Sequence, residues 1–287
     1  MNDLAPGVMR LIDRYQPVTM EGLTLYPVTV DDYDYFINCA PALGFMQQSL
    51  PVTMLTIPLV TAFLRMEDAW NAKMREETET GDTADPKTGA LFSASVLALL
   101  LALRLGEGEP MDERFGRLRL VFDPKHPEKL QKLVFRGNEG EAIEISPAKF
   151  AKLRPVIAAQ NGIEIPPLDA NPELVEADRA VRNMNAPDLE ISIPDKIAFV
   201  CNETGKDESE VNQWPILKFN RRAALAERKL RYLVYGIGES SGMVKYKDGN
   251  PCPSPIFAKV EKSKGMIALS DFRKGAEQEI NKAHQNQ

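Results

Sequence analysis

Histidine, cysteine and tryptophan are scarce in this 287-residue chain, at two, three and two residues. His126 and His284 are the whole imidazole inventory, and Cys39, Cys201 and Cys252 are dispersed without a C-x-x-C pair, so no zinc-ligand spacing is present. The same cysteines, odd in number and far apart, exclude the disulfide framework of a small secreted domain and fit a reducing compartment. Neither G-x-x-x-x-G-K-[ST] nor a strand followed by G-x-G-x-x-G occurs, so nothing points to nucleotide or dinucleotide binding, and no cofactor is expected. Long apolar runs are missing too. The longest, Leu91 to Leu105, carries Arg104 near its end and falls short of the roughly 20 residues a spanning helix needs, which makes it a buried core helix. Met1-Asn-Asp-Leu-Ala-Pro-Gly7 offers no basic start followed by an apolar stretch, so no signal peptide is expected and the chain is assigned to the cytoplasm.

What is present is an ordinary globular composition, 44% hydrophobic and 26% charged, in a chain long enough for more than one domain. The formal net charge of −6 argues against wholesale binding to nucleic acid or an anionic membrane, although a local basic patch can still form. One does. Between Lys218 and Arg231 the chain carries Lys218, Arg221, Arg222, Arg228, Lys229 and Arg231 against Glu227 alone. They lie in Trp214 to Gly238, the longest helical pattern, in which Ile216, Phe219, Ala223, Ala226, Leu230, Leu233, Val234 and Ile237 recur at steps of three or four. That stripe is expected to be buried. Pro215 suits the first helical position, and Gly236 and Gly238 are expected to end the helix.

The fold class expected is α+β, predominantly helical, with an N-terminal β-hairpin and a small central antiparallel meander. Two β-rich runs between Val18 and Val30, joined by Glu21-Gly22, read as the hairpin. Asp31 or Asp32 caps a helix that Pro41 closes, and a second helix from about Thr56 to Trp70 dissolves into the polar loop Arg75 to Gly89. Leu118–Phe122, Leu130–Phe135 and Ala142–Ile145 alternate with period two and read as the meander. Ser146-Pro147 opens a helix that Pro155 should bend or split. A short polar helix spans about Val175 to Met184, Asp195 caps the next, another short helix lies around Ser209 to Gln213, and one weak helix is expected beyond Lys259. Three regions follow: 1–110, 111–187 and 188–287.

Gly238-Glu-Ser-Ser-Gly242 matches the G-x-S-x-G elbow of serine hydrolases, but a long helix precedes Ser240 where the elbow needs a strand, and the only downstream histidine is His284. A solvated face is the plainest reading of the basic patch. An acidic protein partner comes next, and nucleic acid, through a regulator using the basic helix 215–238, is the alternative; no aromatic platform accompanies the cations to favour it.

Three phrases, Leu25-Tyr-Pro-Val-Thr-Val-Asp-Asp-Tyr-Asp-Tyr-Phe36, Phe150-Ala-Lys-Leu-Arg-Pro-Val-Ile-Ala-Ala-Gln-Asn161 and Val244-Lys-Tyr-Lys-Asp-Gly-Asn-Pro-Cys-Pro-Ser-Pro-Ile-Phe257, resemble those of tail-region proteins from phages and prophages of Gram-positive bacteria, commonly taken as tail assembly chaperones. They sample most of the chain. The resemblance implies a non-enzymatic protein that binds the tape measure protein or tail tube subunits, in the host cytoplasm or on the virion tail, with self-association possible. It carries over no catalytic residue. The residues placed in partner binding are Arg221, Arg222, Arg228 and Arg231 on the basic helix and Asn250 and Pro251 in the turn after it.

Overall fold

Pro6 opens a helix that the residue pattern did not announce, α1 (Pro6–Asp13), at a position where its missing N–H costs nothing. In this computed structural model the described residues are 4–80, 90–167, 170–185, 192–242, 244–246 and 250–256. The expected hairpin follows as β1 (Val18–Met20) and β2 (Leu23–Leu25), paired antiparallel with Val18 opposite Leu25. Glu21 and Gly22 both take positive φ, 52° and 74°, which matches the turn to the twist of the strands.

Pro41 does not close a helix. The chain forms α2 (Tyr33–Ile37), bends, and starts again as α3 (Ala40–Leu43) with Pro41 in its first turn, where a fixed φ favours helix rather than ending it. α4 (Leu59–Thr80) also departs from expectation. It continues ten residues past Trp70 through the Arg-Glu-Glu segment, whose long side chains are good helix formers; residues 81–89 of the expected loop lie outside the described set. In α5 (Leu91–Ala102) every residue except Ser93 is buried. Ala90 cannot cap this helix, and Glu67 of α4 does so instead, accepting hydrogen bonds from the Ser93 backbone N–H (3.0 Å) and hydroxyl.

A short helix, α6 (Met111–Phe115), leads into the meander of β3 (Leu118–Asp123), β4 (His126–Arg136) and β5 (Ala142–Ile145), antiparallel in that order. Leu120 faces Leu133, and Leu133 faces Ile145, so one side of the sheet supplies the apolar layer. α7 (Pro147–Gln160), capped by Ser146, closes over it. Pro155 does not split this helix: the N–H it lacks would have bonded Ala151, which is exposed, so water can take that carbonyl. The hairpin, α5, the meander and α7 contribute Val18, Leu25, Leu99, Leu133, Phe135, Ile145, Phe150 and Ile157 to one core.

α8 (Pro172–Asn185) and α9 (Ile193–Thr204) follow. The cap of α9 is Ser192 rather than Asp195: the Ser192 hydroxyl accepts the Asp195 N–H at 3.2 Å and donates to the Asp195 carboxylate at 2.5 Å, so Asp195 is the third helical residue of a reciprocal cap. α10 (Glu208–Asn212) precedes α11 (Ile216–Ser240). Pro215 stands just before α11, in a β-bridge with Thr29, and the Ile216 N–H bonds the Val28 carbonyl at 2.9 Å. A second apolar cluster of Val30, Ile197, Val200, Val211, Trp214, Phe219 and Ala223 fixes the first turns of α11. Gly236 and Gly238 do not end this helix, which continues to Ser240 and stops before Gly242, where φ is +70°.

The chain divides into two compact units, residues 1–176 with 187–223, and residues 177–186 with 224–287. Among the described residues no helix is long and apolar enough to cross a membrane. The weak helix expected beyond Lys259 lies outside the described residues.

Candidate functional site

The residues singled out on α11 meet different surroundings. Arg221 is tied to the end of α1: its guanidinium pairs with Asp13 at 3.1 Å and lies 5.6 Å from the centre of the Tyr15 ring. The hydrogen bond to the Tyr15 hydroxyl, with that to Asp13, pushes its pKa further up. Arg228 donates to the Ile256 carbonyl at 2.7 Å, and Arg231 pairs with Glu227 one turn away. Arg222 is exposed, and among the described residues no hydrogen bond or ion pair holds it. Lys218 sits 4.0 Å over the Trp214 ring, its pKa lowered first by burial and then by the nearby charge of Arg222. At about 100° per residue, Arg222 stands roughly a quarter-turn round from Arg221, and further along Arg228 and Arg231 lie within about 60° of each other.

Asn250 shapes the chain that returns along α11. Its amide donates to Glu239 at 2.9 Å and its carbonyl oxygen accepts from the Cys252 N–H at 2.8 Å, an Asx turn. Pro251 next to it is exposed. Tyr246 stacks edge-on against Tyr235 with ring centres 5.6 Å apart, and a Cβ at Gly238 would come within 2.9 Å of the Tyr246 hydroxyl.

The apolar stripe of α11 was expected to be buried along its whole length, and it is not. Ile216, Phe219, Ala223 and Ala226 are buried, whereas Leu230 is 42% exposed, Leu233 47%, Val234 67% and Ile237 66%. The cause is where the cluster stops: its last member on α11 is Ala223. Periodicity reports an amphipathic helix, not what covers it.

Ser240 is the last residue of α11, and its hydroxyl donates to the Ile237 carbonyl at 3.1 Å. That is a helix end rather than a strand-to-helix elbow, and His284 lies outside the described residues.

Two clusters of polar groups went unread in the sequence. Arg114, 6% exposed, donates to the Gly106 carbonyl at 2.7 Å and faces Asp32 at 3.7 Å. Burial raises the Asp32 pKa against the pull of Arg114. Arg104, at φ +52°, lies 4.7 Å over Tyr26, and Asn138 bridges the Arg104 carbonyl and the Gly106 N–H at 3.0 and 2.9 Å. These contacts brace the turn after α5 against the meander. The second is Arg154, buried on α7, whose guanidinium donates to the Leu43 and Phe45 carbonyls.

The three cysteines are free thiols in unequal settings. Cys39 is buried, which pushes its pKa up to about 12, while Cys201 and Cys252 are half-buried. A thiol–disulfide exchange reagent at neutral pH should therefore modify Cys201 and Cys252 in the native protein and Cys39 only after denaturation. Equal rates at all three would show that α2 and α3 open readily. Among the described residues no group of three or more His, Cys, Asp or Glu side chains is placed to hold a metal ion. No family model, no curated protein and no solved structure matches this chain.

Proposed function

We propose that this chain is a non-enzymatic tail assembly chaperone, or a tail-associated structural protein, of a phage or prophage, acting on the tape measure or tail tube protein in the bacterial host cytoplasm. The three phrases that resemble this family support the reading. The observation that carries it is the open apolar face of α11, with Leu230, Leu233, Val234 and Ile237 all more than two-fifths exposed. Such spacing fits an amphipathic client helix, whose own apolar residues at i, i+3, i+4 and i+7 would lie along it. Arg222, exposed and unengaged among the described residues, is a separate cation that would speed encounter with an acidic client.

The test is co-expression with the tape measure protein and the tail tube protein of the same gene cluster, followed by affinity capture. Wild-type protein should retain one of them. Val234→Asp with Ile237→Asp should reduce capture at least roughly tenfold, a loss of about 1.4 kcal/mol. Arg222→Glu should weaken it chiefly at low salt. Failure to capture either protein, or submicromolar nucleic-acid binding at physiological salt, would overturn the proposal.

A further inference from the structure

The outward side of the three-stranded meander carries more positive charge than its own carboxylates settle. Leu118, Leu120, Leu133, Phe135 and Ile145 pack on the core, so by the two-residue alternation of strands Arg119, Lys132, Val134, Arg136, Ala142 and Glu144 face away from it. Lys132 pairs with Glu144 at 2.6 Å, and Arg117, just before β3, is held by Glu109, to which its Nε donates at 2.8 Å. Arg119 and Arg136 differ. Among the described residues neither side chain has a hydrogen bond or an ion pair, although Arg136 adds to the field at Glu109. The Arg136 N–H bonds the Arg117 carbonyl at 3.0 Å, so those two cations stand opposite each other across the strands, an arrangement that costs stability. Arg119 opposes Val134, and Arg136 lies two residues on from Val134 along β4. The two arginines therefore form a diagonal pair about 7–8 Å apart, close enough for both guanidiniums to reach one anion.

We propose that Arg119 and Arg136 together bind a glutamate or aspartate side chain from an acidic segment of a partner protein. With Val134 and Ala142 they border a depression of about 190 Å³, against about 30 Å³ for a water molecule. Charge selects the carboxylate. Glu141 borders the depression as well, but its carboxylate is turned to its own loop, where it accepts the Glu139 N–H at 3.1 Å. Arg117, Arg119 and Arg136 against Glu109 and Glu141 leave one positive charge in excess, which matches a singly charged carboxylate better than a phosphate monoester carrying roughly 1.5–2 charges. A planar guanidinium also meets a planar carboxylate through paired N–H···O bonds, and Val134 with Ala142 gives the acid's methylenes an apolar floor. Exposure selects a protein over a free acid: Arg119, Arg136, Glu141 and Ala142 are all exposed, whereas sites for small ligands bury most of the molecule they hold. A carboxylate here needs neighbouring contacts, which a polypeptide supplies. None of these residues belongs to α11, and the partner need not be a tail protein.

A fluorescein-labelled peptide of about twelve residues, alternating glutamate and serine, titrated with the full chain at about 50 mM salt, tests it by anisotropy. The wild type should bind with Kd below about 1 mM. Arg119→Gln with Arg136→Gln should weaken binding at least about tenfold while leaving the denaturant midpoint unchanged or higher, because both side chains are exposed and a like-charge contact is relieved. Arg222→Gln should bind as the wild type does. Unlabelled peptide should compete, and free glutamate or inorganic phosphate at the same concentration should not. No binding below about 1 mM overturns the proposal, as does undiminished binding by the double variant, or stronger competition from inorganic phosphate or a single-stranded oligonucleotide than from the peptide.

Discussion

Replacing Arg154 by leucine should lower the stability of the chain by roughly 2–5 kcal/mol, read as a shift of the denaturant midpoint at unchanged slope. Arg154 is only 9% exposed, yet among the described residues no carboxylate pairs with it. Its Nε donates to the Leu43 carbonyl at 3.0 Å and its Nη2 to the Phe45 carbonyl, at the end of α3 where helical carbonyls lack partners of their own. Leucine fills most of the volume but leaves the buried Leu43 carbonyl and the part-buried Phe45 carbonyl without donors, at about 1–3 kcal/mol each. Burial pushes the guanidinium pKa down to about 10, so it stays charged at neutral pH. The sign follows: a cation whose folded pKa is depressed costs the folded state while charged, and that cost fades only as pH rises above about 10. At pH 7 the two hydrogen bonds must offset it. Arg154→Lys should recover little, since one ammonium on a flexible stem does not reproduce the planar fork that reaches both carbonyls. A loss below about 1 kcal/mol for Arg154→Leu would mean that water reaches the end of α3.

Arg154 also marks the limit of what the residue pattern discloses. Phe150, Leu153 and Ile157 announce the buried face of α7, and Arg154 stands in phase with them, so its burial was legible as an arginine at a core position. Its partners were not, because Leu43 and Phe45 are more than a hundred residues away. The hairpin and the meander were readable for the opposite reason: Glu21-Gly22 and the period-two runs are local signals, and register follows from them. Reading failed where one local rule met another constraint. Pro155 does not split α7, since its missing bond falls on exposed Ala151, and Gly236 and Gly238 do not stop a helix whose turns on both sides hold. The arginines of α11 are alike in sequence but divide into Arg221, committed to Asp13, and Arg222, which is not; that division is made by α1, which the sequence pattern did not reveal.

The largest contrast expected within one helix lies on the stripe of α11. Phe219→Ala should cost roughly 3–5 kcal/mol, whereas Val234→Ala, measured at a dilution where self-association is absent, should change stability by no more than about 0.5 kcal/mol. Phe219 is fully buried, with Tyr33 edge-on at 6.2 Å and the Lys196 ammonium 5.3 Å from its ring centre. Lys196 is held there by Asn220 at 2.7 Å, so truncating the ring opens a cavity and also removes the face over which that cation rests. Val234 has two-thirds of its surface in solvent, and alanine is the better helix former, so the small loss of contact is offset by propensity. Sequence alone gives the two residues the same role, since both are in phase with the stripe. Their energies should differ because burial along the α11 stripe ends at Ala226, two turns before Val234. A cost of 2 kcal/mol or more for Val234→Ala in dilute protein would show that the chain itself covers the distal stripe, leaving a client helix no face to bind.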